Sequence, residues 1–504
     1  MLHQNTPALL TAPQQSRAGR CTSLPDMSQR VLVASNRGPV SFQFTADGEL
    51  SAKRGGGGLI AGLISGLAEL DAGTAATWIC AALSEADRAA VRAAEKAGHE
   101  ILGPGEMPVL MLDIPPETFE AAYNQVANSA LWFLHHMLFD TPDQPRFGTP
   151  FQDAWQAYAA YNQAFAAALA AEAARGDRVL IQDYHLALAP RMLRDLAPDT
   201  KIVHFSHTPW APPAYYRILP DGKGRAVLEG ILGADRAGFL AAPWADAFLA
   251  CCAEILGAEV EGHTVTYQGH VTEVGVHPLG VDGPSLRARA SKEDVGAHIT
   301  ALSKSAGDRQ LIVRVDRTEL SKNILGGLAA YRELLTTRPH WRGRVVHLAF
   351  AYPSRSALPE YRAYTERVQQ LAGEINAEFS TGDWTPLVLE VKDDYARSLA
   401  ACRIADVLLI NPIRDGMNLV AQEGPVLSDR GCALVLSREA GAAELLDDHA
   451  LLVNPYDIAQ TADALDQALV MPAAERQRRS AAVAAAAQDH APHRWLADQL
   501  TALG

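Results

Sequence analysis

From Val31 onward, short runs of branched apolar residues alternate with longer stretches of helical periodicity. That alternation restricts the chain to repeated strand-helix units around parallel sheets, so the expected fold class is α/β. The expected strands of the first half are Val31–Ser35, Thr77–Leu83, Pro108–Ile114, Val179–Tyr184, Lys201–His207 and Gly238–Ala242, separated by Ala-rich helices such as Phe151–Ala174. A second series comprises Leu311–Asp316, Val345–Tyr352, Leu387–Val391, Val407–Pro412, Ala433–Ser437 and Leu451–Pro455, each bounded by Gly, Pro or charge. Val260–Asp282 reads as a hairpin and a turn at His277-Pro278-Leu279-Gly280 that joins the two series. With 504 residues, too many for one ordinary core, the expected domains are 29–282 and 283–485. They follow a disordered leader, 1–28, and precede a terminal helix, 486–504. Two doubly wound sheets present a cleft at the carboxyl ends of their strands, where ligands of such folds bind.

Composition narrows the function classes. No apolar run approaches the roughly 18–20 residues that cross a bilayer, so no membrane partner is expected. The formal charge of -14, from 58 acidic and 44 basic residues, argues against a nucleic-acid surface, and an anionic substrate then requires a local basic pocket. Cys21, Cys80, Cys251, Cys252, Cys402 and Cys432 show neither metal-ligand nor small-disulfide spacing and fit thiols in a reducing compartment, which points to the cytoplasm. Residues 1–28 carry only a weak apolar stretch, unlike a secretory segment, and Met27 offers an alternative start.

Chemistry-bearing residues cluster at the expected strand ends. Arg317 and Lys322 follow the strand Leu311–Asp316 and precede a helix beginning at Ile324. Two cations beside a helix N-terminus, with its free N–H groups and positive dipole, suit a diphosphate. Solvated loop cations fit the same spacing equally well. The segment Arg414-Asp415-Gly416-Met417-Asn418-Leu419-Val420-Ala421-Gln422-Glu423 follows Val407–Pro412. There a carboxylate can hold sugar hydroxyls, and Glu423 can bind a ribose diol; an N-cap Asp and a solvated Glu are the bland alternatives.

In the first half, Ser35-Asn36-Arg37 ends the first strand, and Arg54-Gly55-Gly56-Gly57-Gly58-Leu59 opens a helix. Arg37 is an anion-ligand candidate, and the glycines suit either close backbone approach or a flexible lid. Asp183-Tyr184-His185 and Ser206-His207-Thr208 end two neighbouring strands, where a carboxylate and an imidazole can orient a hydroxyl or simply cap the chain. Tyr123 and Trp132 frame a helical stretch, with core packing and sugar stacking both open to Trp132.

In this order these motifs resemble the trehalose-6-phosphate synthases of glycosyltransferase family 20. The resemblance runs from about Val31 to about Pro455 and includes Gly57-Gly58-Leu59, Tyr123-Asn124-Gln125, Leu131-Trp132, Asp183-Tyr184-His185, Pro353-Ser354-Arg355 and the Arg414–Ala421 segment. It implies a GT-B fold, two Rossmann-like domains facing one another, with a final helix, including Trp495, crossing back to the first. It implies retaining, metal-independent transfer of glucose from a nucleoside-diphosphate glucose to glucose 6-phosphate, without a cofactor. By the same resemblance Arg37, Tyr123, Trp132, Asp183 and Arg355 bind the acceptor. Gly58, Leu59, Arg317, Lys322, Asp415, Asn418, Leu419 and Glu423 bind the donor, and His207, Arg317, Lys322 and Asp415 are the catalytic set.

Several positions depart from the family pattern. Gln182 replaces a His before Asp183, Thr208 an Ile, Asn323 a Gly after Lys322, and Tyr395 stands where relatives often carry a basic residue. The Ala-rich composition is similar to that of actinobacterial relatives, some of which prefer GDP-glucose, and the donor expectation is GDP-glucose first and UDP-glucose next. A glucosylglycerol-phosphate synthase or pseudo-glycosyltransferase of the same fold is the nearest alternative, and a non-catalytic sugar-phosphate sensor is the alternative of another class. A homo-oligomer is left open.

Overall fold

Val31–Ala34 is buried along its whole length, as a strand covered on both faces by helices must be. The structure is a computed structural model, and it describes residues 10–11, 30–55, 58–68 and 75–503. Two compact units result: one runs to His277 and resumes at Pro492, the other is Pro278–Ala491.

The first unit contains β1 (Leu10–Thr11), β2 (Val31–Ala34), β3 (Val40–Phe44), β4 (Leu50–Arg54), β5 (Ala76–Ala81), β6 (Glu100–Leu102) and β7 (Pro108–Leu112). It continues with β8 (Arg178–Gln182), β9 (Lys201–Ser206), β10 (Arg236–Phe239), β11 (Glu259–Glu261), β12 (Thr264–Tyr267) and β13 (His270–Val276). Its main sheet has the order β1-β6-β7-β5-β2-β8-β9-β10-β13-β12-β11. The centre, β7 to β13, is parallel, and antiparallel strands finish both edges. Strand order reverses about β2, which places the Ser35–Arg37 turn beside the end of β8 at Asp183.

The second unit is a six-stranded, wholly parallel sheet of β14 (Gln310–Arg317), β15 (Val345–Tyr352), β16 (Leu387–Glu390), β17 (Val407–Ile410), β18 (Ala433–Ser437) and β19 (Leu451–Val453). The order β16-β15-β14-β17-β18-β19 is that of a doubly wound sheet whose switch point lies between β14 and β17. Arg317 ends the first of those strands, and Asp415 follows the second.

The structure moves some expected boundaries. The units divide between His277 and Pro278 rather than at Asp282. Residues beyond the turn are tied to the second unit, because the Gly280 N–H donates to the His490 carbonyl (2.6 Å) and the Gln422 amide to the Leu279 carbonyl (3.1 Å). At the other end, residues 486–489 close the helix Ala473–Asp489 of the second unit, and Pro492 starts a separate helix to Thr501 that belongs to the first. Trp495 of that helix is 1% exposed and packs 5.0 Å from Phe205 and 5.7 Å from His207, ring centre to ring centre. Within the segment expected to be a disordered leader, Leu10–Thr11 pairs antiparallel with Glu100–Ile101. The rest of that leader, with Cys21 and Met27, lies outside the described residues, as do Gly56 and Gly57.

The hairpin of β3 and β4 had an available signal in Asp47-Gly48 between two half-buried alternating runs, with Gly48 at φ +80°. Its anchor is Asp87, whose carboxylate accepts the Phe42 N–H at 2.6 Å and the Ser84 N–H at 2.9 Å. No helix among the described residues is long and apolar enough to cross a membrane.

Candidate functional site

In the second unit the segment after β14 turns through Leu320–Lys322 into the helix Ile324–Thr337. Asn323 makes the turn at φ +53°, a left-handed conformation that Asn tolerates better than most residues. Its side chain caps the helix, accepting from Gly326 N–H at 3.2 Å and donating to the Pro455 carbonyl at 2.9 Å. This corrects the expectation of an open helix N-terminus. The Ile324 N–H goes to the Tyr364 hydroxyl (2.7 Å) and the Gly326 N–H to Asn323, so these donors already have protein acceptors.

Lys322 and Asp415, from the ends of β14 and β17, form an ion pair whose side chains are 13% and 15% exposed. Asn418 Nδ2 donates to the same carboxylate at 3.0 Å. Burial works against the Lys322 charge, but Asp415 and Asp316 outweigh it and hold the ammonium pKa above its ordinary value. Lys322 is therefore a fixed cation, which the solvated-loop alternative does not describe. Asp415 is pinned through its backbone, its N–H bonding the Glu439 carbonyl (3.2 Å) and its C=O accepting from Gly441 (3.0 Å). Asn418 adopts φ +75° just before Leu419 and the helix Val420–Leu427. Among the described residues no protein acceptor takes the N–H of Met417, Asn418 or Leu419. Successive amides around a left-handed residue make an anion-binding concavity.

Arg317 is the more open cation, its side chain 56% exposed and paired with Glu319 at 3.0 Å. Glu319 is 1% exposed and also accepts from Ser354 Oγ at 2.9 Å. Burial alone raises a carboxyl, yet Arg317, Arg355 and Lys322 overcome it and bring Glu319 down to about 2. Arg355 stands at φ +43°, with its guanidinium on the Tyr361 hydroxyl (2.5 Å) and 3.9 Å from Glu319. Glu423, partly buried one helical turn past Leu419, has its carboxyl pushed up to about 7 by burial. Tyr395 is 48% exposed, with the Arg289 guanidinium 5.8 Å over its ring.

In the first unit Ser35 Oγ accepts from the Trp78 indole (2.8 Å) and donates to the Arg37 carbonyl (2.6 Å), fixing the turn that leaves Arg37 exposed. Asn36 is buried and accepts from the Tyr161 hydroxyl at 2.6 Å. Asp183 has φ +73° and ψ 169°, a region that non-glycine residues occupy at a cost of about 1–3 kcal/mol. Its carboxylate accepts the His207 N–H at 3.1 Å and lies 3.8 Å from His185 Nδ1. The His207 ring bonds Gln182 Oε1 through Nε2 at 2.9 Å. Burial, with His204 adding to it, lowers the His207 pKa to about 3, so the imidazole is neutral.

Tyr123 stacks between Phe119 (5.2 Å) and His185 (5.5 Å) on the π-type helix Ala121–Leu131. Trp132 is 3% exposed against Phe133 and His136, and of its two alternatives packing is the one this burial describes. Gly58 and Leu59 begin the helix Gly58–Ala68. Sequence reasoning assigned no role to Arg314, Asp316, Glu319 or Gln182. A charged residue in the apolar run Leu311–Val315 was the signal for Arg314, since a buried strand admits an Arg only with partners. No group of three or more potential metal ligands occurs among the described residues.

Two α/β units with parallel sheet centres, one of them holding a partly buried cation against a carboxylate beside its switch point, have the architecture in which ligands bind at the carboxyl ends of the strands. The chain belongs to glycosyltransferase family 20, whose model matches residues 29–504. It is an α/β protein of the GT-B fold and a glycosyltransferase. It is 33% identical over 456 residues to the alpha,alpha-trehalose-phosphate synthase [UDP-forming] of Schizosaccharomyces pombe, covering 89% of this chain and 85% of that one. It is 33% identical over 457 residues to alpha,alpha-trehalose-phosphate synthase [UDP-forming] 1 of Arabidopsis thaliana, covering 90% of this chain and 47% of the plant protein. The chain thus spans about half the length of the plant relative. Among solved structures, a UDP-forming alpha,alpha-trehalose-phosphate synthase from Burkholderia xenovorans in complex with glucose-6-phosphate matches with TM-score 0.79 at 26% identity, covering 94% of this chain and 99% of that one.

Proposed function

We propose that this chain is an α,α-trehalose-6-phosphate synthase that transfers glucose, with retention, from UDP-glucose to glucose 6-phosphate. The observation that carries it is the partly buried Lys322–Asp415 pair with Asn418 on the same carboxylate, next to the amides of 417–419. The arrangement suits a leaving diphosphate: Lys322 and Arg317 supply charge, the amides supply hydrogen bonds, and Asp415 holds hydroxyls of the transferred glucose. Glu423 accepts from the ribose diol, and Gly58, Leu59 and Leu419 line the donor. His207, neutral, contacts the transferred sugar. Arg37, Tyr123, Asp183 and Arg355 serve the acceptor, and Trp132, 3% exposed, is left to packing.

In the proposed step the bond between glucose C1 and the phosphate oxygen breaks, the acceptor anomeric oxygen bonds C1 on the same face, and its proton passes to the departing phosphate. UDP and trehalose 6-phosphate are the products. No protein nucleophile is required, and stabilisation of the leaving charge is the main task left to the side chains. The lean toward GDP-glucose finds no support in the relatives, whose names specify UDP-forming enzymes, and UDP-glucose takes first place.

The test is release of nucleoside diphosphate from UDP-, GDP- and ADP-glucose in the presence of glucose 6-phosphate, with the product identified by mass and by comparison with authentic disaccharide phosphate. Trehalose 6-phosphate formed fastest from UDP-glucose is the expected result. Release with glycerol 3-phosphate but not glucose 6-phosphate would move the assignment to the glucosylglycerol-phosphate alternative, and a folded protein inert with all three donors would leave the sensor alternative.

A further inference from the structure

Arg314 points into the interior from the middle of β14 and is 1% exposed. Its guanidinium Nε donates to Asp316 Oδ2 at 3.0 Å, Nη2 to the Lys322 carbonyl at 3.0 Å, and Nη1 reaches the Ile324 carbonyl at 3.5 Å. Nη2 also lies 3.0 Å from the Asp316 carboxylate. One side chain therefore ties the exit of β14 to the residues on both sides of the left-handed Asn323. Space for it comes from Gly327, where a Cβ would sit 2.1 Å from Arg314 Nη1. Arg314 and Gly327 are thus a matched pair: a large cation on the strand, and no side chain on the facing helix.

The charges around it alternate. Arg314 faces Asp316, Asp316 lies near Lys322, and Lys322 is paired with Asp415. Asp316 is 6% exposed, and its burial raises its pKa despite both cations. Deprived of Arg314, Asp316 is a buried carboxylate whose remaining cationic neighbour is Lys322, and it competes with Asp415 for that ammonium.

We propose that Arg314 is a positioning residue: by engaging Asp316 and the Lys322 carbonyl it keeps the Lys322 ammonium directed at Asp415 and the diphosphate. The proposal rests on the donor role given to Lys322 above. Arg314 touches no substrate and acts only through Lys322.

Three variants test it: Arg314→Met, the double variant Arg314→Met/Asp316→Asn, which removes the stranded carboxylate if the single variant folds poorly, and Gly327→Ala, which keeps every charge but displaces the guanidinium. Each is measured for turnover of UDP-glucose with glucose 6-phosphate and, by calorimetry, for UDP affinity. Arg314→Met and Gly327→Ala are expected to lose about 10²-fold in kcat, the scale of a roughly ångström-sized misplacement, with KM for glucose 6-phosphate unchanged. UDP binding should weaken about tenfold, as for loss of a bond to a charged group. A purely structural Arg314 would lower thermal stability while leaving kcat per folded molecule and UDP affinity intact, and that result in Gly327→Ala or in a folded Arg314→Met overturns the proposal, whereas kcat recovered in the double variant relative to Arg314→Met identifies Asp316 as the competitor for Lys322. A wild-type protein that binds UDP but transfers no sugar would defeat the synthase assignment alone, because UDP affinity still reports on Lys322.

Discussion

Gln182 Oε1 lies 2.9 Å from His207 Nε2, across the ends of the adjacent parallel strands β8 and β9. A hydrogen bond from the imidazole to this amide oxygen requires the proton on Nε2 and leaves the other ring nitrogen as an acceptor. Gln182 is completely buried, and among the described residues its own Nε2 has no protein acceptor. Gln182→Leu removes the bond that sets the tautomer, but also removes a desolvated amide. The two effects on stability offset to within about 1 kcal/mol, whereas loss of one orienting bond lowers kcat/KM about tenfold. Thermal midpoints and steady-state kinetics on the same preparation separate them; unchanged kinetics would show that Trp495 and Phe205 alone hold the ring.

Asp183 combines two demands that conflict. Its carboxylate serves His207 and His185, while its φ of +73° is tolerated readily only by glycine. Asp183→Ala keeps the strain and discards the carboxylate, and Asp183→Gly discards both. We expect the glycine variant to be the more stable of the two by about 1 kcal/mol, with both variants strongly impaired in turnover. Chemical denaturation reads the order directly, and an alanine variant as stable as the glycine one would mean that the backbone there is unstrained.

The strand series was legible because parallel strands buried on both faces must be short apolar runs, and β2, β9, β14 and β15 fall close to their expected positions. The strand-end residues were legible for the same reason: the fold brings the ends of β14 and β17 to one switch point, so Lys322 and Asp415 meet although 93 positions separate them. Hidden from sequence were the choices a neighbour makes. Nothing in the order of residues says that Tyr364 and Asn323 take the amides at the start of the helix Ile324–Thr337, or that Gly327 exists to admit Arg314. The Leu10–Thr11 pairing escaped because a strand so short has no periodicity to detect.

Asn323 shows why a departure from the family pattern need not disturb the site. The turn after Lys322 requires a left-handed residue, which glycine supplies freely and Asn at modest cost while adding an N-cap. Asn323→Gly should change stability by only a few tenths of a kcal/mol, about 0.5 or less, and Asn323→Ala should cost about 2 kcal/mol, the lost cap plus the left-handed penalty. Urea titrations of the two variants give the comparison; equal losses would remove the backbone from the explanation.

Glu423 supplies a pH dependence with a definite sign. Burial pushes its carboxyl from the ordinary 4.5 to about 7, so between those values the folded chain holds a proton that the unfolded chain has released. Stability from this group is complete below the unfolded value and declines as pH rises through the folded one. Glu423→Gln, a neutral isostere, lacks that decline. Relative to the variant, the wild-type thermal midpoint should therefore fall as pH rises from 4.5 to about 7 and level off above that. Donor binding works in the opposite sense, because a ribose hydroxyl donates to the ionised carboxylate: KM for UDP-glucose should rise as pH drops below about 7 in the wild type and stay level in the variant. Parallel midpoint curves for the two proteins would mean that Glu423 titrates as an ordinary solvated carboxylate, and its assignment to the ribose would lose its physical basis.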